Sequence, residues 1–376
     1  MVKTAAIFAA TIIAACSLFD SASAHEDHTR RALSTEQRRL FVQSAQASLT
    51  TCSTTTASRQ LQERAVARRA EAVAKLRQEV SQRRLATHLS TLTVTTSTKS
   101  SVLFGSTTTY IVEPEVTEGP YYIKGEYIRT DMREKQTGVP MYIDVQVIDV
   151  NTCKPVSNMY VDLWHANATG VYSGVVASTN GNSKDATNLQ NTFLRGVTPT
   201  DSDGVAQMTS VFPGHYAGRA THMHFVGNYG GTVLANKTYS AGSVAHVGQF
   251  FFEQDLITSV EKVSPYSTNT QAVTLNSADN IYKSASANGF DPVFNYALLG
   301  STVDQGVFVW ISIAVDMTAK QSPKAVSTYA GTGSGDTSAS GSTTTGTSNN
   351  ALKISGLSAS AVLLLAALAP VLLAAL

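Results

Sequence analysis

Pro213-Gly-His-Tyr-Ala-Gly-Arg-Ala-Thr-His-Met-His-Phe225 gathers Tyr216, Arg219, His222 and His224 into one strand and the turn that leads into it. Successive side chains of an extended segment alternate faces, so His222 and His224 project to one side and Met223 to the other. Two imidazoles so placed can clamp a single metal ion, although histidines also sit on half-buried strands as ordinary hydrogen-bonded residues. The neighbours therefore carry the argument. Upstream, Val161-Asp-Leu-Trp-His-Ala-Asn-Ala-Thr-Gly-Val-Tyr-Ser173 reads as an apolar strand that breaks at Asn167 to Gly170 and presents Tyr172 just after the turn.

Leu163-Trp-His-Ala-Asn-x-x-Gly-x-Tyr-Ser173, taken with Tyr216-x-x-Arg-x-x-His-x-His224, resembles the intradiol ring-cleavage dioxygenases. These are non-haem iron(III) enzymes that open catechols between the two hydroxyl-bearing carbons, and the likeness is greatest to their secreted fungal-type branch. It covers residues 110 to 317. It implies one Fe(III) per chain held by Tyr172, Tyr216, His222 and His224, with Arg219 reaching into the substrate pocket. Ferric iron is a hard cation that prefers anionic oxygen, and a phenolate supplies it once the metal has pulled the tyrosine pKa down from about 10. By the same resemblance a catechol chelates as a dianion in place of Tyr216, and Arg219 stabilises the carbanion-like ring that O2 attacks. The products would be of muconate type. Thr117-Glu-Gly-Pro-Tyr-Tyr122 resembles the family segment that passes close to the active site, which makes Pro120 and Tyr122, with Trp164, candidates for the pocket wall. A second reading keeps the fold without the chemistry: an inactive cell-surface β-sandwich that binds carbohydrate or protein.

Two departures from the family matter. Tyr216 and His222 stand closer in sequence than in the bacterial enzymes, which implies a more open pocket and larger or irregular phenolic substrates. Cysteines that members of the secreted branch often carry, at the places of Ala166 and about Thr109, are absent here.

The elements that must position these residues read as strands at Tyr142–Val150, Tyr160–Trp164, Val205–Val211, Ala220–Val226, Gln249–Phe252 and Val307–Val315. Many short strands with turn signals and little helix point to a mainly β, two-sheet β-sandwich, and the family core is such a sandwich. Residues 254–300 read as a long excursion with short helices. Ahead of the strands, a basic segment has Leu61, Ala65, Val73, Leu76 and Val80 in near-helical spacing, and a shorter helix runs from a Ser34/Gln37 capping box to Leu49. This basic arm has three readings: it packs on the main domain, on a second copy in a homodimer, or is a removable pro-segment. Its charge also suits a polyanionic wall or a membrane surface.

The expected organisation is a signal peptide over 1–24, the basic arm or pro-segment over 25–100, and the dioxygenase sandwich over 101–320. A Ser/Thr/Gly-rich linker over 321–350 and a glycolipid-anchor signal or hydrophobic tail over 351–376 follow. The mature protein would then be extracellular, tethered to the membrane by its glycolipid. Cys16 leaves with the signal, so Cys52 and Cys153 are the pair left to bridge in an oxidising compartment. Asn167-Ala-Thr and Asn236-Lys-Thr fit the glycosylation pattern; Asn236 is favoured because Asn167 belongs to the turn before Tyr172. Asp201-Ser-Asp-Gly204 opens like a calcium loop but lacks the later ligands, and reads as a hairpin turn. His25 and His28 offer a copper site at the mature terminus. No nucleophile elbow or phosphate-cradling glycine loop occurs, and a net charge of +1 argues against nucleic acid as a partner.

Overall fold

The structure is a computed structural model; it describes residues 35–85, 111–112 and 116–329 apart from 183, 241, 288 and 289. The expected signal peptide over 1–24, His25, His28, the tail over 351–376 and most of the expected linker lie outside the described residues. Within them the fold is the expected mainly β, two-sheet sandwich with an N-terminal helical arm.

One sheet orders β1 (Ile111–Val112), β12 (Val307–Val315), β3 (Pro140–Asp149) and β6 (Val205–Val211), with β11 (Asn295–Leu298) also paired to β12. The other orders β10 (Ser243–Phe251), β7 (His222–Tyr229), β4 (Tyr160–Trp164) and β5 (Arg195–Pro199), all antiparallel. Strand alternation builds the core. Met141, Ile143, Val145 and Val147 of β3 and every odd residue of β12 face Val161 and Leu163 of β4 and Met223 and Phe225 of β7. Two short ribbons flank the sheets, β2 (Ile123–Lys124) with β13 (Ser327–Thr328) and β8 (Thr232–Val233) with β9 (Tyr239–Ser240).

The strands at Tyr160–Trp164, Val205–Val211 and Val307–Val315 have the bounds expected from their apolar runs. β5 and β11 were not legible, because each is short and carries Arg, Gly, Pro or Asn in place of an alternating pattern. Asp201–Gly204 is a tight turn but not a hairpin. The strands on either side of it, β5 and β6, belong to different sheets, so it arches from one layer to the other, held by Asp201 Oδ1 accepting from the Asp203 and Val205 amides.

The outward face of the first sheet is covered by α1 (Thr35–Ser53) and α2 (Thr56–Leu85). Val73 packs on Phe308 and Trp310, while Ala45 and Leu61 pack with Ile148 and Ala314. A disulfide between Cys52 and Cys153 ties the end of α1 to the turn after β3. The basic segment is thus built into the domain through its apolar stripe and several of its arginines.

Candidate metal centre

β7 is an inner strand of the second sheet, paired with β4 and β10. Met223 and Phe225 enter the core, so His222 and His224 stand on the outward face, as strand alternation requires. His224 is in register with Trp164 on one side and Gln249 on the other.

The two tyrosines arrive on turns that interlock. Gly170 has a φ of 81°, and a Cβ there would lie 2.3 Å from the His215 carbonyl oxygen. A Cβ on Gly214 would lie 2.4 Å from the carbonyl oxygens of both Asn167 and Ala168. Only glycine lets these two backbones approach so closely, and the approach brings Tyr172 and Tyr216 to one side of β7. Behind the turn, Asn180 Oδ1 accepts from the Tyr172 amide, and the Asn180 and Asn188 side-chain amides both donate to the Tyr172 carbonyl. Tyr172 is thereby fixed from the backbone side. A turn bridging Tyr216 and Arg219 accounts for their short separation from His222.

Four donor atoms converge. The Tyr172 hydroxyl lies 3.1 Å from His224 Nε2 and 3.4 Å from His222 Nε2. The two Nε2 atoms are 3.1 Å apart, and the Tyr216 hydroxyl is 3.4 Å from His222 Nε2. His222 Nδ1 donates to the Ala220 carbonyl at 2.6 Å, so its Nε2 presents a lone pair to the centre. An ion bonded at about 2.1 Å to each donor spaces its ligands by about 3 to 3.5 Å, the separations seen here. The cluster thus consists of two imidazole nitrogens and two phenol oxygens. The residues present fit a hard trivalent ion: two imidazoles plus two groups that become anionic oxygen on binding. Without metal both phenols stay protonated. Burial pushes Tyr172 well above its ordinary range and Tyr216 up to about 12, the latter against the pull of Arg219.

Arg219 is buried beside this cluster. Its Nε donates to Asp279 Oδ2 at 2.7 Å and Nη2 to Gln249 Oε1 at 2.6 Å. Asp279 also receives the Ala220 amide and, through Oδ1, caps the helix Asn280–Ala285, so the 254–300 excursion supplies the carboxylate that holds this arginine. Gln249 Nε2 donates in turn to the Thr117 carbonyl, at the head of the Thr117–Tyr122 segment. Burial would lower the guanidinium's pKa, but Tyr216 and Asp279 outweigh it.

Of the pocket-wall candidates, Trp164 is 0% exposed and Tyr122 1%, as deeply buried as Tyr172 itself at 1%. Trp164 stacks on His224 with ring centroids 4.8 Å apart and planes at 4°, and Tyr122 backs Trp164 at 5.2 Å. They are the layer beneath the site. Pro120 is buried in the segment beside Tyr121. Tyr121, not singled out in the sequence, is the ring against Tyr172, at 5.1 Å, and its hydroxyl bonds to Thr179. Asp279 and Gln249 were also missed: only their fold neighbours give them meaning, although Gln249 sits on an expected strand. Asn167 is committed to its turn, its Oδ1 accepting from the Thr169 and Val171 amides and its Nδ2 donating to Gln136. Asn236 is exposed, with Thr238 Oγ1 donating to its Oδ1 at 2.8 Å.

Comparison with known proteins finds similarity to dioxygenases. Residues 117–274 match the family model Dioxygenase_C, described as dioxygenase. Catechol 1,2-dioxygenase 1 of Acinetobacter lwoffii is 27% identical over 136 residues, 30% of this chain and 40% of that protein, so the match spans well under half of the relative's length. An intradiol ring-cleavage dioxygenase from Tetranychus urticae is similar at 27% identity, covering 56% of this chain and 97% of that one, with a TM-score of 0.47. Catechol 1,2-dioxygenase from Pseudomonas arvilla C-1 follows at 20% identity, covering 57% and 67%, with a TM-score of 0.37. Tyr172, Tyr216, Arg219, His222 and His224 all lie within 117–274, the stretch that matches Dioxygenase_C.

Proposed function

We propose that the chain is a non-haem iron(III) dioxygenase that cleaves catecholic rings between the two hydroxylated carbons. The observation that carries this reading is the convergence of the Tyr172, Tyr216, His222 and His224 donor atoms to 3.1–3.4 Å. Bound there, iron(III) would supply the Lewis acidity that holds a catechol as its dianion and the electron-accepting centre that readies the ring for O2. Both oxygen atoms enter the product, a dicarboxylate of muconate type.

The chain's own residues divide the remaining work. Tyr172, fixed by Asn180 and Asn188, and the histidine pair, backed by Trp164, are the stationary donors. Tyr216 stands on the turn Tyr216–Arg219; by the family resemblance it is the donor that would give way to the diol and take a hydroxyl proton from it on its Oη. Arg219 holds a buried positive charge beside the site, fixed before any substrate arrives, where negative charge builds on the ring. The test is colour and stoichiometry. Protein purified with ferric iron should be red-brown from phenolate charge transfer, bind one iron per chain, and convert a catechol with two labelled atoms from 18O2. A colourless protein that takes up no iron overturns the reading.

The proposal extends to place: residues 1–24 direct export and 351–376 signal a glycolipid anchor. The Cys52–Cys153 disulfide supports an oxidising compartment. A phospholipase that cuts glycolipid anchors should release the protein from cells. Recovery of membrane-bound protein with Leu376 still attached would replace the anchor with a retained tail.

A further inference from the structure

Behind the loop that carries Tyr172 lies a cavity of about 250 Å³ that is separate from the donor cluster. Ile123 and the paired Ser327–Thr328 strand form one wall, and residues 189–192 form the opposite one. Its floor is Arg195 with Glu126, both buried, joined at 3.0 Å. The place is distinctive because its walls are also the supports of Tyr172. Arg195 Nη2 donates to the Ser173 carbonyl at 2.9 Å, and the turn Ala186–Gln190, which supplies the opposite wall, carries Asn188.

We infer that this cavity is a second small-molecule site, which takes one neutral, hydroxyl-bearing six-membered ring, either a phenol or a terminal sugar unit. The size sets the first limit. Drug-sized ligands occupy about 300–1,000 Å³, so this cavity holds a single ring. Charge sets the second. Both guanidiniums in the wall are engaged within the protein, Arg195 by Glu126 and Ser173, and Arg129 by Glu134 at 2.7 Å and by the Arg195 carbonyl at 2.8 Å. An anion would have to break those pairs, whereas a neutral ring leaves them intact. Surface chemistry sets the third. Leu189 stands 55% exposed at the wall, an apolar group that a ring would cover. Tyr127 and Tyr329, edge to face at 4.8 Å with hydroxyls 2.6 Å apart, offer an aromatic face and a polar tip, and Ser327 and Thr328 add exposed hydroxyls. Apolar faces with a few hydroxyl partners match the faces and rim of a hydroxylated ring.

The site needs no metal, so this inference and the ring-cleavage reading stand or fall separately. The probes are methyl β-glucoside and resorcinol; the hydroxyls of resorcinol are not adjacent, so it cannot chelate one ion as a catechol does. Binding to the full-length protein is followed by saturation-transfer NMR and titration calorimetry. At least one probe should saturate in the millimolar range. Thr328→Trp, at an exposed wall position, should weaken it about tenfold or more by filling the cavity, and Leu189→Ala should weaken it a few-fold. Catechol turnover should be unchanged in both variants. Binding of the glycoside alone assigns a sugar, and of resorcinol alone a phenol. Failure of both probes to bind, or binding that neither substitution weakens, overturns the inference.

Discussion

Each sheet of the sandwich turns one face to the shared core and one outward, and the two outward faces bury polar groups in opposite ways. On the helical side Asp144 is wholly buried, yet Arg68 and Arg69 reach it at 3.1 and 2.9 Å, Gln207 donates to it, and Arg69 also donates to Ser312. Burial alone would raise the Asp144 pKa; the two arginines outweigh it and hold it below the ordinary carboxylate range. Charge there is balanced inside the chain. On the loop side, two imidazole nitrogens and two phenol oxygens crowd together, and each becomes a better donor as it loses a proton. On the function proposed above, a cation would complete that face. On that reading the difference separates a polar cluster that holds a fold together from one that would bind a ligand.

The largest effects should come from the loop side. Tyr172→Phe and His224→Ala should each lose bound iron and lower turnover by more than the about 10- to 100-fold typical of groups that only orient ligands. The unfolding midpoint should move little, since the core between the sheets is untouched. Metal analysis beside urea unfolding checks both halves, and full iron occupancy in both variants would sink the assignment. Arg219→Ala should keep the colour yet lower kcat by about 10²- to 10³-fold. An unchanged kcat/KM refutes its role.

This face was also the more legible one. His222-x-His224 and Tyr172 announce themselves because ligand chemistry restricts residue type, and strand alternation alone puts both histidines on one side. Tyr121, Gln249 and Asp279 were not legible, because a buried tyrosine, glutamine or aspartate acquires its role only from the strand or loop that folds against it. The helical side reversed that balance. Leu61, Ala65 and Val73 gave the buried stripe correctly, but Arg69, 1% exposed, looks in sequence like any of the arm's basic residues. Nothing local marks Arg69 as the arginine that will be buried, because its partners, Asp144 and Ser312, lie far along the chain.

The helical side should respond in stability and leave the metal alone. Asp144→Ala strands Arg69 without its counter-charge, and breaking a buried pair in this way costs about 3–5 kcal/mol. Urea unfolding should show that loss with iron content unchanged; a variant as stable as the wild type would mean the ion pair does not hold the arm. Replacing Cys52 and Cys153 together by serine should cost somewhat less, about 2–4 kcal/mol, for a bridge closing a separation of 101 residues. Limited proteolysis should then cut first between α1 and α2. Cleavage at the wild-type rate would show that packing alone secures the arm.

Between the two faces lies a histidine that tests the comparison from inside. His165 is 0% exposed, its Nδ1 donating to the Ala166 carbonyl at 2.8 Å and its Nε2 accepting from Ser210 Oγ at 2.7 Å. Both nitrogens are satisfied by neutral partners, so it needs no cation, and burial above all lowers its pKa to about 4. The sign follows from proton binding. Below about pH 6.5 the unfolded chain takes up a proton that the folded chain refuses until about pH 4, so this residue costs stability as pH falls through that window. The slope is about 1.4 kcal/mol per pH unit from His165 alone. His165→Gln can keep a donor and an acceptor without titrating, so the difference in unfolding free energy between variant and wild type should narrow or reverse as pH drops from about 6.5 to about 4. Parallel curves would mean that His165 is charged in the folded state, and that the line between a self-satisfied histidine and one that awaits a metal has been drawn in the wrong place.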